Sequence, residues 1–186
     1  LDKQLRDIGK NENITSHYIK KLDNWTTFEK KILIWLTNGI EKKIPNDFKF
    51  LIKDINIAKF KNGVEMDFPH TNGTTIFLSQ RFIDTIIPYY NNNDLDKCLV
   101  NIGSVIIHES VHIWQRRDPD FFNNLYRKWN FKSYNKIINS KKFVNKNRYN
   151  PDGIDIRWCF DDGRNNEYLL ISPYKENAKN ISHVNL

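Results

Sequence analysis

Apolar positions recur at helical spacing in some stretches of this chain and alternate with polar ones in others. Trp25, Phe28, Ile32, Trp35 and Leu36 fall three or four apart, which predicts an amphipathic helix with one buried face. Asp23 or Asn24 stands where a side-chain oxygen can cap the first turn, and Asn38-Gly39 supplies a left-handed stop. Ile55 to Phe60 reads as a strand closed by the Asn62-Gly63 turn. A second turn, Asn72-Gly73, leads into Thr74 to Ser79, a short β-branched and aromatic strand. A long periodic segment opens at Asn93 or Asp94 and runs to about Arg117. Asp118-Pro119 then combines an N-cap with a proline at the first helical position, and Phe122, Leu125, Tyr126 and Trp129 form the expected buried stripe of the helix that follows. Ser133 is placed to cap another helix, through about Lys142. Beyond the Asn150-Pro151-Asp152-Gly153 turn, Ile154, Ile156, Trp158 and Phe160 alternate with polar positions, and Asp162-Gly163 with Tyr168 to Ile171 completes a C-terminal hairpin. The expectation is an α+β fold with a small mixed sheet.

Length and composition narrow the class. With 186 residues, 39% hydrophobic and 27% charged positions, and a mean hydropathy of −0.65, the chain is expected to fold as one soluble domain over 1–186. Residues 1–15 are polar and expected to fray. The longest apolar run, Ile32 to Leu36, falls far short of the roughly 20 residues that span a bilayer. Cys98 and Cys159 are too few for a disulfide framework and read as reduced thiols. Four Asn-x-Ser/Thr sequons, at Asn13, Asn24, Asn72 and Asn180, are close to what the high Asn content yields by chance and do not argue for secretion.

The net charge of +7 is regional. Arg127, Lys128, Lys132, Lys136, Lys141, Lys142, Lys146 and Arg148 lie between Phe121 and Pro151 with no acid among them, and outside that segment 21 basic residues face 22 acidic ones. A basic stretch of this kind can track phosphates, although solvated helix faces carrying Lys are commoner. Nucleic-acid association through 121–151 is therefore the lesser expectation.

The long periodic segment also carries the chemistry. It contains Val105-Ile-Ile-His108-Glu109-Ser-Val-His112-Ile-Trp114, a His-Glu-x-x-His pattern in a chain with only five His. At about 100° per residue, His112 lies about 40° from His108 and one turn along, so both imidazoles project from one face and can share a metal. Glu109 falls beside the pair, where it can reach a water without being a ligand. Asn101, Ser104 and Gln115 lie on the His side of the helix. Ile102, Ile106, Ile107, Ile113 and Trp114 lie on the far side, so the helix is expected to be buried with its polar stripe facing a cleft. Two neutral imidazoles and a third ligand would hold Zn²⁺ with one position open.

On these residues the chain resembles the zincin metallopeptidases, whose shared motif is His-Glu-x-x-His on the active-site helix. The resemblance is specific over about Val105 to Trp114. It implies a zincin-like catalytic domain that hydrolyses peptide bonds of a peptide or protein substrate by metal-activated water, with His108 and His112 as zinc ligands and Glu109 as general base. More loosely, Thr74 to Leu78 would be the edge strand that takes extended substrate by strand addition. No His-x-x-Gly-x-x-His continuation follows His112, so a metzincin is not expected. A gluzincin-like arrangement would draw its third ligand from Glu167 or Glu176. Glu176 is the better choice within the chain, with His183 and Asp152 as weaker rivals. An unassigned ligand and a first residue of Leu1 make a longer functional chain the alternative expectation. His70 reads as a turn or structural residue, His17 as a surface one, and Arg148-Tyr149 as a possible source of an oxyanion donor. The competing reading is a zincin-fold protein without peptidase activity that uses the basic 121–151 surface for binding.

Overall fold

Residues 2–6, 8–9, 11–133, 147–148, 158–169 and 172–184 are described by a computed structural model. They are α+β, and they divide into two compact units: Thr15–Arg116, and a second made from the two ends of the chain, Leu1–Ile14 with Arg117–Leu186.

In the Thr15–Arg116 unit, helix α3 (Thr27–Lys43) is capped by Thr26, and not by the expected Asp23 or Asn24. The Glu29 amide donates to Thr26 Oγ1 at 3.2 Å and the Thr26 amide to Glu29 Oε2 at 2.8 Å. This is a capping box, in which two otherwise orphaned amides are satisfied reciprocally. Glu29 also anchors the helix to the sheet. Its carboxylate accepts from the buried Lys59 ammonium at 3.1 Å, which donates to Gln80 Oε1 at 3.0 Å as well. Burial opposes ionisation of Glu29, yet the hydrogen bonds from the Thr26 amide, Lys59 and Gln80 hold its pKa below the ordinary value.

Helix α3 does not stop at Asn38-Gly39. Gly39 is buried within it, and a Cβ at that position would lie 2.6 Å from Leu95 Cδ1. Here glycine serves close packing rather than a left-handed turn, whereas Gly63 (φ 90°) and Gly73 (φ 58°) do occupy the left-handed region at the two predicted turns.

The sheet of this unit is mixed and four-stranded, in the order β1 (Leu22–Asp23), β2 (Asn56–Phe60), β4 (Thr75–Ser79), β3 (His70–Asn72). Strands β2 and β4 run parallel, with Ile57 opposite Ile76, and β3 folds back antiparallel on β4 with Thr71 opposite Ile76. The expectation that Thr74 to Leu78 is an edge strand is therefore corrected. The Asn72-Gly73 turn returns His70–Asn72 along β4, so β3 takes the edge and β4 lies inside.

One face of the sheet supplies Ile76 and Leu78 to a core completed by Ile32, Leu33, Leu36 and Ile40 of α3 together with Ile83, Ile86, Cys98, Ile106 and Ile113. The other face carries Phe60, Phe77 and His70, with His70 stacked on both rings at 5.5 Å. His17, expected at the surface, is buried in helix α2 (Ile14–Lys21), one residue before the Tyr18 ring that packs on Phe60 and His70.

Short helices α4 (Gln80–Asp84) and α5 (Ile87–Asn91) lead to Asp94, whose carboxylate caps α6 (Leu95–Cys98) by accepting from the Lys97 amide at 3.3 Å. A π-helical turn, Leu99–Gly103, continues it into α7 (Ser104–Arg117). The predicted single segment is thus one helical run with a change of hydrogen-bond register in its middle, which periodicity at 3.6 residues per turn does not reveal.

The second unit contains helix α1 (Asp2–Leu5), a buried Ile8, and α8 (Pro119–Lys128), capped by Asp118 through the Phe121 amide at 3.0 Å. No residue within α8 is fully buried, and Trp129 is 56% exposed, which corrects the buried-stripe expectation. The helix has already ended at Lys128, so Trp129 lies past its last turn. Strands β5 (Phe131–Ser133), β6 (Trp158–Asp161) and β7 (Glu167–Leu169) form an antiparallel sheet that includes the expected C-terminal hairpin. Ser133 belongs to β5 and not to a helix cap. The helix through Lys142, the 150–153 turn, Tyr149, Asp152, Ile154 and Ile156 lie outside the described residues.

Candidate metal centre

Helix α7 is held from behind. Ile106 and Ile113 are buried in the core, and the Trp114 ring meets Phe50 edge-on at 4.8 Å. Ser110, between the two His, is fully buried, and its hydroxyl donates to the Ile106 carbonyl at 2.7 Å. A small residue is needed there, and its polar atom is satisfied within the helix. At the end of the helix Arg116 donates to Thr71 Oγ1 at 2.8 Å and to the Gly73 carbonyl at 3.0 Å. The guanidinium ties the last turn of α7 to β3 and to the turn that follows it.

The opposite stripe presents the motif. His108 Nε2 and His112 Nε2 are 3.0 Å apart, with the rings nearly perpendicular. Nitrogens held about 2.0–2.1 Å from one tetrahedral ion lie about 3.3 Å from each other, so this separation suits a shared metal with little adjustment. His112 Nδ1 lies 2.7 Å from Gln115 Oε1. An amide oxygen can only accept, so Nδ1 carries the proton and Nε2 keeps its lone pair for a ligand. Gln115 is the residue that the sequence reading places on the His side without giving it a role. Its position three residues after His112 was the available signal.

His112 is 8% exposed and Glu109 4%, while His108 is open to solvent. The pair is therefore reached from the His108 side, and the carboxylate that follows it in sequence is shielded from bulk water. Asn101 and Ser104 are exposed on the helical run just before the motif, with the Asn101 amide donating to Tyr89 Oη at 3.0 Å.

Two imidazoles at this separation fit a metal. Among the described residues no group of three or more His, Cys, Asp and Glu side chains is arranged to hold a metal ion. Glu176 sits exposed in a turn, and both ring nitrogens of His183 are engaged locally, by the Lys179 amide and by Asn180 Nδ2. Glu167 pairs with Lys132 at 2.9 Å. Arg148 uses its amide to bond the Ser172 carbonyl at 2.9 Å. Glu167, Glu176 and His183 all belong to the second unit, whereas the His pair belongs to the Thr15–Arg116 unit. No known family model, curated protein or solved structure matches the chain.

Proposed function

We propose that this chain is a zincin-like zinc metallopeptidase whose metal is held by His108 and His112. The observation that carries the reading is the convergence of the two Nε2 atoms at 3.0 Å while the far nitrogen of His112 is bonded to Gln115. That is the arrangement in which a second residue fixes the tautomer of a metal-ligating imidazole. Bound Zn²⁺ would supply Lewis acidity and bring the pKa of water toward neutrality. Glu109 is the base of the mechanism: it accepts the proton of the attacking water and delivers it to the leaving amine of a peptide substrate. Entry from the exposed His108 side gives an extended peptide access to the pair.

A carboxylate takes up and releases a proton whereas the isosteric amide does not, so Glu109→Gln tests the assignment without removing a ligand. The variant is expected to keep its zinc and to lose hydrolysis of a fluorescent casein substrate by 10²-fold or more. Equal hydrolysis by wild type and variant would remove Glu109 from the mechanism.

A further inference from the structure

Behind the His pair, the Thr15–Arg116 unit has a concavity that none of the motif residues line. A cavity of about 840 Å³ opens between α3, the Lys49–Ile57 stretch and the back of α7, where it reaches Ile106. Its size falls within the roughly 300–1,000 Å³ typical of small-molecule sites. The floor is apolar, made by Leu33, Ile40, Ile57 and Ile106 among others. Two further apolar side chains on its wall stay largely in solvent, Ile34 at 58% and Phe50 at 41% exposure. The charged residues of the lining are three lysines, Lys30, Lys49 and Lys53, against one acid, Glu41, and all four are exposed at the mouth.

An apolar trough that leaves large aliphatic and aromatic groups in water recovers hydrophobic free energy only when something apolar covers it. The excess of ammonium groups at the mouth selects the sign of the polar end of that occupant, and long lysine stems let the charge follow it to the surface. We infer that this trough is a binding site for a single-chain anionic amphiphile, a long-chain carboxylate whose acyl chain lies along Leu33, Ile40, Ile57 and Ile106 while its acid group meets Lys30, Lys49 and Lys53. No residue of the His-Glu-x-x-His site lines the trough, so this assignment stands independently of the peptidase reading.

Dodecanoate, titrated calorimetrically into the purified chain below its micelle concentration, is the test. One saturable site is expected. Binding weakens at least tenfold in a Lys30→Glu/Lys49→Glu/Lys53→Glu variant, and likewise in Ile34→Glu; all four positions are exposed, so circular dichroism verifies an unchanged fold. His108→Ala binds dodecanoate as wild type does. Dodecyltrimethylammonium, with the same chain and the opposite charge, binds at least tenfold more weakly than dodecanoate. The absence of saturable dodecanoate binding, equal affinity for the cationic detergent, or indifference to the lysine substitutions overturns the proposal. Attachment to phosphatidylglycerol vesicles without binding of monomeric dodecanoate also overturns it, in favour of a membrane-facing surface.

Discussion

An imidazole offers a metal one nitrogen, and the other decides whether that nitrogen is available. In His112 the decision is made by Gln115, whose Oε1 lies 2.7 Å from Nδ1. Removing that acceptor leaves the ring free to rotate and to change tautomer. Gln115→Ala is therefore expected to weaken zinc binding by roughly 10–100-fold, read by competition with a fluorescent chelator, with the far-ultraviolet circular dichroism unchanged. An unaltered affinity would show that the Gln115 contact does not orient a ligand. Cys98 gives the contrast of a reactive residue type made inert. It is fully buried in the core, and burial, with the Asp94 charge adding to it, pushes its thiol up to about 11. It is a packing residue, in keeping with the sequence reading of a reduced thiol.

The secondary-structure elements show why some starts and stops were legible and others were not. Asp118-Pro119 and Asp94 cap the helices they precede because their signals are local, requiring only an oxygen and the next free amides. Thr26 was equally local, since Thr26-Thr-Phe-Glu29 spells a capping box, but the neighbouring Asp23 and Asn24 presented the same chemistry. Gly39 was not legible, because its reason is Leu95, 56 positions away in the chain. A helix-interior glycine normally costs about 1 kcal/mol relative to alanine. Here a branched side chain meets Leu95 instead, and Gly39→Val is expected to destabilise the chain by about 1–3 kcal/mol in urea denaturation. A stabilised variant would contradict this account of the glycine.

The carboxylates that join elements set the response to acid. Hydrogen bonding from Lys132 lowers the pKa of Asp161, and hydrogen bonds from Asn166 and from the Arg164 amide lower that of Asp162. The bonds from the Thr26 amide and Lys59 lower that of Glu29 against its burial. A folded pKa below the unfolded one contributes stability that is full above the unfolded value, 3.8 for these Asp and 4.5 for Glu29. That stability is lost as pH falls through the folded value. The melting temperature is therefore expected to hold from pH 7 to about 5 and to fall steeply below about 4. A melting temperature that rises on acidification would contradict the sign of these shifts.

At the scale of the whole molecule, the α+β class and the mixed sheet followed from patterning, because turns such as Asn62-Gly63 and Asn72-Gly73 mark their strands independently of context. Strand order did not follow. Whether β4 lies inside depends on three residues, His70–Asn72, that read as part of a turn. The site was half legible in the same way. The His pair sits within one helical turn, so spacing alone brings it together, whereas any third ligand of the proposed metal site would lie outside that turn, where no period announces it.

The basic surplus divides similarly. Lys132, counted within it, already pairs with Asp161 at 2.8 Å and Glu167 at 2.9 Å across β5, β6 and β7, so part of the segment's charge is spent within its own sheet. No helix among the described residues is long and apolar enough to cross a membrane.

The proposed activity requires His108 and His112 to hold a metal. Elemental analysis of the purified chain, compared with His112→Ala, tests this directly. One zinc per chain in the wild type and less than a tenth of that in the variant is the predicted result. Substoichiometric zinc in the wild type after incubation with excess zinc and desalting, or the same content in both proteins, would contradict it.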